Sequence, residues 1–319
     1  MPMNSEKPWS ELGPPRVGEL SARRADPEHP FGFFYALNAG GQAMLVLQLA
    51  SPVPDGIQPP RLKGVRVQWI DKTHSLQLAL ENSQDLDVFA LLCRDLISCT
   101  VSAQSELECI DRLCARLIKW QRLLSKGGPR LLGPHEIRGL YAELCFLRRE
   151  LLPRFGPDAV SAWKGPSGLP QDFAADSKVF EVKSHLVGSQ QSVKISSPSQ
   201  LWVDGSALYL CLYHLTEVAA GGQSLGALVD ELMIEINLSA YASEEFEEKL
   251  ESVGYLDLPE YRAYELVVVK QDFFAVNDEF PRINPSLLRP GIHEVSYSIQ
   301  HAALSAFHAA ISWSETEHE

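Results

Sequence analysis

Asp172, Glu181 and Lys183 lie close together in a chain of 319 residues. Two carboxylates and an ammonium on one surface suit the hydrolysis of a phosphate ester. The carboxylates offer hard oxygens to a divalent cation. Mg²⁺, or Mn²⁺ in its place, is held by one or two carboxylates, with waters and substrate phosphate completing the shell. The main-chain carbonyl of Val182 offers a further oxygen. An ammonium beside the cation can orient an attacking water, help deprotonate it, or stabilise the charge that develops on phosphorus.

The elements that must position these groups can be read from the surrounding pattern. Residues 171–175 and 178–184 form the strands of a β-hairpin, and Asp176-Ser177 forms a two-residue turn. That register sets Phe173 opposite Phe180 and Asp172 opposite Glu181. Side chains alternate faces along a strand. Glu181 and Lys183 therefore share a face with Asp172, and Phe180 and Val182 point the other way. Like charges placed opposite each other destabilise a sheet, and a bound cation offsets that cost.

A helix precedes the hairpin, from Pro134 to about Leu152, with Ile137, Leu140, Tyr141, Leu144, Leu147 and Leu151 as its apolar stripe. Glu143 lies on the flank of that stripe, within reach of the carboxylate face. Residues 159–164 read as a first core strand, and 165–169 as a flexible loop into the hairpin. After Lys183, residues 193–196 continue the sheet or its edge, 197–203 form a short helix, and 207–215 form a buried strand. Ser196, Ser197 and Gln200 sit at that helix start, where a phosphate could be held; Lys194 adds charge, and His185 is a further candidate for a DNA contact.

The order of these parts resembles the PD-(D/E)XK nuclease superfamily. Its αβββαβ core carries an acid at one strand end, (D/E)xK on the next strand, and often a Glu on the preceding helix. The matching positions here are Glu143, Asp172 and Glu181-Val182-Lys183, with Phe180 before and Ser184 after. The likeness covers residues 131–217. More narrowly, the runs 139–144, 163–166, 171–173, 180–184 and 195–201 resemble a bacterial branch of that superfamily. Genes of that branch stand beside ATPase and DNA-modification genes in phage-defence islands. One departure is Gln171, which separates Pro170 from Asp172. The resemblance implies a restriction-endonuclease-like α+β (α/β) fold with a mixed sheet. It also implies a Mg²⁺- or Mn²⁺-dependent DNA endonuclease of a restriction or defence system, working with ATPase, helicase or modification subunits. Many members of the superfamily dimerise, so a homodimer is an expectation. The alternative is a catalytically silent DNA-binding or scaffold subunit.

The net charge of −13 is awkward for an enzyme acting on a polyanion, but it is unevenly spread. Residues 112–200, which contain the carboxylate motif, carry +7; residues 1–111 carry −5 and 201–319 carry −15. A locally basic surface can still follow a phosphate backbone, weakly without partners. The six cysteines show no CxxC pair and lie mostly in apolar patterns, which argues for a reducing cytoplasm and against zinc. No apolar run approaches a membrane span, and the first residues do not read as a signal peptide.

Three regions are expected. Residues 1–30 read as a loosely ordered arm, and 31–126 as a β-rich domain ending in two helices. The nuclease-like domain runs over 131–319, after a linker signal at 126–130, and ends in an acidic extension of helices and a strand.

Overall fold

The computed structural model describes residues 8–52, 56–125, 132–188 and 191–314. The linker signal at 126–130 and the first seven residues of the expected arm lie outside the described residues. The chain divides into two compact units, Met1–Leu131 and Leu132–Glu319.

The first unit is an antiparallel sheet with two helices. Its strands are β1 (Ser21–Arg24), β2 (Gly32–Leu37), β3 (Ala43–Gln48), β4 (Val65–Ile70) and β5 (Ser75–Leu80), in the spatial order β1-β2-β3-β5-β4. Strict alternation buries Phe33, Tyr35, Leu45, Leu47, Leu76 and Leu78 on one face. Helices α1 (Leu86–Thr100) and α2 (Glu106–Ser125) bury Phe89, Leu92, Leu96, Leu113, Leu117 and Trp120. The expected loose arm is corrected here. Trp9 is 4% exposed, stacks on Phe89 and meets Tyr35 edge-on, and its indole N–H donates to the Met44 carbonyl at 2.8 Å. Residues 21–24 form β1. Burial of one large aromatic outweighs the local Pro, Arg and Glu content.

The second unit is built on a mixed sheet. Helix α3 (Pro134–Phe146) passes through a π-helical turn at Leu147–Leu151 into α4 (Leu152–Phe155). The strands that follow are β6 (Phe173–Ala175), β7 (Lys178–Leu186), β8 (Ser192–Ile195), β9 (Ala207–Val218) and β10 (Gln223–Ser224). Helices α5 (Leu225–Ile236), α6 (Ala240–Ser252) and α7 (Pro259–Arg262) lead to β11 (Glu265–Ala275). The unit ends with β12 (Tyr297–Gln300) and α8 (His301–Leu304). The sheet order is β10-β11-β9-β7-β6, with β7 and β9 parallel and the other pairs antiparallel. One sheet face carries Phe180, which packs on Phe146 of α3 at a ring separation of 5.0 Å. The other carries Leu210, Leu212 and Phe274, buried with Val193, Ile195, Leu201 and Ile299.

Four expectations change. Residues 159–164 do not form a strand: Gly156–Ala162 is 3₁₀-helical, and only Trp163 bridges to Phe173. Pro157 and Pro166 flank this segment, and proline cannot donate to a ladder. The stretch 193–196 does not extend the main sheet, because β8 pairs with β12 instead. The connecting helix is a single 3₁₀ turn, Pro198–Leu201. The core expected over 131–217 is also incomplete by itself. Strand β11, from the acidic C-terminal part, pairs with β9 along most of its length.

Candidate active site

The hairpin turn is set by local chemistry. Asp176 and Ser177 both adopt positive φ, 53° and 57°, as a type I′ turn requires. Asp176 tolerates this because its carboxylate accepts from Lys178 Nζ at 2.6 Å and from the Ser314 N–H at 2.8 Å. Those bonds hold its pKa well below the usual carboxylate range, with Lys178 contributing most. The pairs Ala175–Lys178, Ala174–Val179 and Phe173–Phe180 follow.

Asp172 stands one residue before this ladder. Its N–H donates to the Phe180 carbonyl at 3.1 Å, and its carbonyl accepts from the N–H groups of Lys164 and Gly165 at 2.7 and 3.0 Å. Its side chain turns across the hairpin, and Oδ2 accepts from the Val182 N–H at 2.7 Å. Val182, expected to offer its carbonyl, thus meets Asp172 through its N–H. Gly165 closes over the other oxygen. A Cβ at that position would lie 3.1 Å from Asp172 Oδ1 and 3.4 Å from Glu143 Oε2, so a side chain there would push on both carboxyl groups by a few tenths of an ångström.

Glu181 is the most constrained of the four. Its relative exposure is 0%, and neither Oε1 nor Oε2 has a hydrogen-bond partner. Lys183 Nζ lies 2.6 Å from Oε1 as an ion pair. Burial pushes the Glu181 carboxyl up to about 8; the charge of Asp172 adds to the rise, and Lys183 opposes it. Glu143 reaches the group from α3, and its Oε2 accepts from the Trp163 indole N–H at 2.8 Å. Its carboxyl is raised well above the usual range by burial, then by the charge of Asp172, while Trp163 opposes the rise. Asp172 is raised by burial too, against the pull of the Val182 N–H and Lys183. Burial thus raises all three carboxyl groups; the charge of Asp172 adds to the rise at Glu143 and Glu181, and Lys183 opposes it at each.

These residues fit a hard divalent cation. Buried carboxylate oxygens without partners are costly unless a charge arrives to meet them. Asp172 and Glu181 supply two carboxylates, a number that suits Mg²⁺ with waters and phosphate completing its shell. Among the described residues no group of three or more His, Cys, Asp or Glu forms a metal-holding cluster.

The residues expected to grip a phosphate are arranged differently. Ser197 Oγ accepts from the Ser199 N–H at 3.3 Å, and the Ser196 N–H donates to Gln200 Oε1 at 2.8 Å. These groups satisfy one another, and a single turn aligns too few peptides to attract an anion. Lys194 is exposed on β8, with Val193 and Ile195 buried on the opposite face. His185 lies two residues beyond Lys183 on the same face of β7, and its ring packs on His214 and His301 at 5.5 and 4.6 Å. Burial lowers the pKa of His185, and His301 and His214 lower it further.

Trp163, Gly165 and Gln171 carry roles that the sequence pattern does not assign. The Trp163-Lys164-Gly165-Pro166 run was visible before the hairpin. A tryptophan and a glycine beside an acid pair were signals for a donor and for a close approach.

A family model described as "Putative PD-(D/E)XK family member" (DUF4420) matches residues 5–302. No curated protein and no solved structure matches the chain.

Proposed function

Since the chain belongs to this PD-(D/E)XK family, we propose that it is a Mg²⁺- or Mn²⁺-dependent nuclease that hydrolyses phosphodiester bonds in DNA. The observation that carries this reading is Glu181, a fully buried carboxylate whose close charged neighbour is Lys183, with Nζ 2.6 Å from Oε1, set beside Asp172. Asp172 and Glu181 would hold the cation, with Glu143 and the Val182 carbonyl as further oxygens. When bound, the cation would polarise the scissile phosphate and acidify a water. Lys183 would orient that water and meet the charge developing on the phosphate. The Val182 N–H fixes Asp172 Oδ2, which directs Oδ1 toward the Gly165 side. Trp163 orients Glu143 and favours its ionised form.

The acidic C-terminal third favours dependence on protein partners, because it repels a polyanion. The reading therefore includes a restriction or phage-defence role, with target choice supplied by ATPase, helicase or modification subunits, and two copies cutting two strands. Incubation of supercoiled plasmid with the purified protein, Mg²⁺ or Mn²⁺, and an EDTA control tests it. Metal-dependent nicking that is lost in Lys183→Ala is the expected result. A folded protein that leaves DNA intact, alone and with its genomic neighbours, would instead be a DNA-binding scaffold.

A further inference from the structure

Gln200 and Gln171 form a relay between the catalytic lysine and a separate turn of the chain. Gln200 Oε1 accepts two hydrogen bonds, from the Ser196 N–H at 2.8 Å and from Lys183 Nζ at 3.3 Å. A peptide N–H and an ammonium can only donate, so the amide atom between them is the oxygen. The turn that carries Gln200 is fixed from several sides. Gln171 Nε2 donates to the carbonyls of Ser199 at 2.6 Å and Trp202 at 3.0 Å, with a longer contact to that of Gln200 at 3.4 Å. Facing three acceptors, this atom is the amide nitrogen. Arg282 donates to the Leu201 carbonyl at 3.0 Å and lies 4.5 Å above the Trp202 ring. Leu201 itself is fully buried in the core beneath β9 and β11.

Lys183 has two partners of unequal permanence, an ion pair and a hydrogen bond. Glu181 Oε1 is the nearer, at 2.6 Å. Yet Glu181 is also the carboxylate that the proposed reaction needs for its cation. One oxygen cannot hold the ammonium and the cation equally well. Gln200, neutral and tied into a braced turn, is the acceptor that stays available. We propose that Gln200 is a positioning residue for Lys183, and that Gln171 sets Gln200 by holding its turn to the hairpin. Residue 171, the departure from the family's usual Pro-Asp pair, thereby acquires a structural reason. The effect on catalysis rests on the nuclease reading; the effect on the lysine does not.

The test therefore has two arms. In the first, the metal-free protein is labelled with a trace of acetic anhydride, and each lysine is quantified by mass spectrometry. Gln200→Ala should raise Lys183 labelling about tenfold, as expected for losing one hydrogen bond to a charged group. Lys194 and Lys270 should label as in the wild type, and Gln200→Glu, which keeps an acceptor oxygen, should restore protection. An unchanged Lys183, or an equal rise at every lysine, overturns the proposal. In the second arm, Gln200→Ala should lower kcat about 10- to 100-fold at nearly constant KM, as misplacement of a reacting group does. A raised KM with kcat intact would make Gln200 a substrate contact and also overturn it. If the wild type cuts nothing, the nuclease reading fails, and the labelling arm still decides the position of Lys183.

Discussion

Two buried carboxylates in this chain are treated in opposite ways. In the first unit, Asp95 is 5% exposed and fully satisfied. Arg116 grips it with Nε and Nη2, each at 2.6 Å, and the Trp120 indole N–H adds a bond at 2.7 Å. In the second unit, Glu181 is fully buried with no hydrogen bond to either oxygen and only the Lys183 ion pair beside it. A tryptophan N–H serves both regions, to Asp95 in one and to Glu143 in the other. Forked arginine pairing satisfies a carboxylate and leaves it nothing further to bind. A carboxylate left short of donors is unfavourable for stability and available for a ligand. The first arrangement holds a helix pair together; the second is what a site for a cation requires.

The largest expected effect is on chemistry. Asp172→Ala or Glu181→Gln should lower metal-supported plasmid cleavage on the order of 10³-fold, the loss of a cation that stabilises the transition state by several kcal/mol. Initial-rate assays in Mg²⁺ and Mn²⁺ measure this. Cleavage at the wild-type rate would remove Glu181 from the site and break the contrast with Asp95. The next effect is on folding. Asp95→Ala removes the forked carboxylate partner of the mostly buried Arg116, which should destabilise the protein by about 3 kcal/mol. Urea unfolding followed by circular dichroism reads this directly, and a loss below about 1 kcal/mol would show that the fork is not a structural clasp.

The sign of the third effect separates the two regions further. Glu181 has an ordinary value of 4.5 and is raised to about 8 in the fold. The folded state therefore binds more protons than the unfolded chain between those values. Its stability contribution is best below pH 4.5 and is lost as pH rises toward 8, by an amount on the order of a few kcal/mol. The metal-free protein should melt at a lower temperature at pH 8 than at pH 5.5. Glu181→Gln should flatten that slope and raise Tm at pH 8, whereas removal of the Asp95 carboxylate lowers Tm. Added Mg²⁺ should recover Tm at pH 8 in the wild type alone. A Glu181→Gln protein with the wild-type pH slope would place the protonation elsewhere.

The sequence disclosed the half of the second unit that depends on alternation and turn chemistry. The two-residue Asp176-Ser177 turn fixed the hairpin register; alternation along one strand put Glu181 and Lys183 on one face, and the register set Asp172 opposite Glu181. It disclosed less where proline and long-range pairing decide the outcome. Residues 159–164 carry the composition of a strand, yet the flanking prolines leave only the Trp163–Phe173 bridge. The pairing of β11 with β9 joins residues far apart in the chain, and no local pattern marks it. Ser196, Ser197 and Gln200 had the composition of a phosphate cradle; instead they bond within their own turn, and Gln200 also meets Lys183 from β7.

The smallest expected effect sharpens the comparison most, because it sets two like exchanges side by side. Trp120 and Trp163 are both 0% exposed, so Trp→Phe at either site carries a similar loss of packing. The exchanges differ in the N–H removed. Asp95 keeps both arginine bonds after Trp120→Phe. Glu143 Oε2 loses the Trp163 donor, which opposes the rise of its pKa. A hydrogen bond to the ionised form lowers a carboxyl pKa, so its removal raises it. In Trp163→Phe the acid limb of the pH–rate profile for Mn²⁺-supported cleavage should therefore move to higher pH. Trp120→Phe should leave that limb in place. An acid limb unmoved by Trp163→Phe would mean that Glu143 takes no part in the reaction and that its indole bond is structural, as at Asp95. The open cluster would then shrink to Asp172, Glu181 and Lys183, with Glu143 on the satisfied side of the comparison.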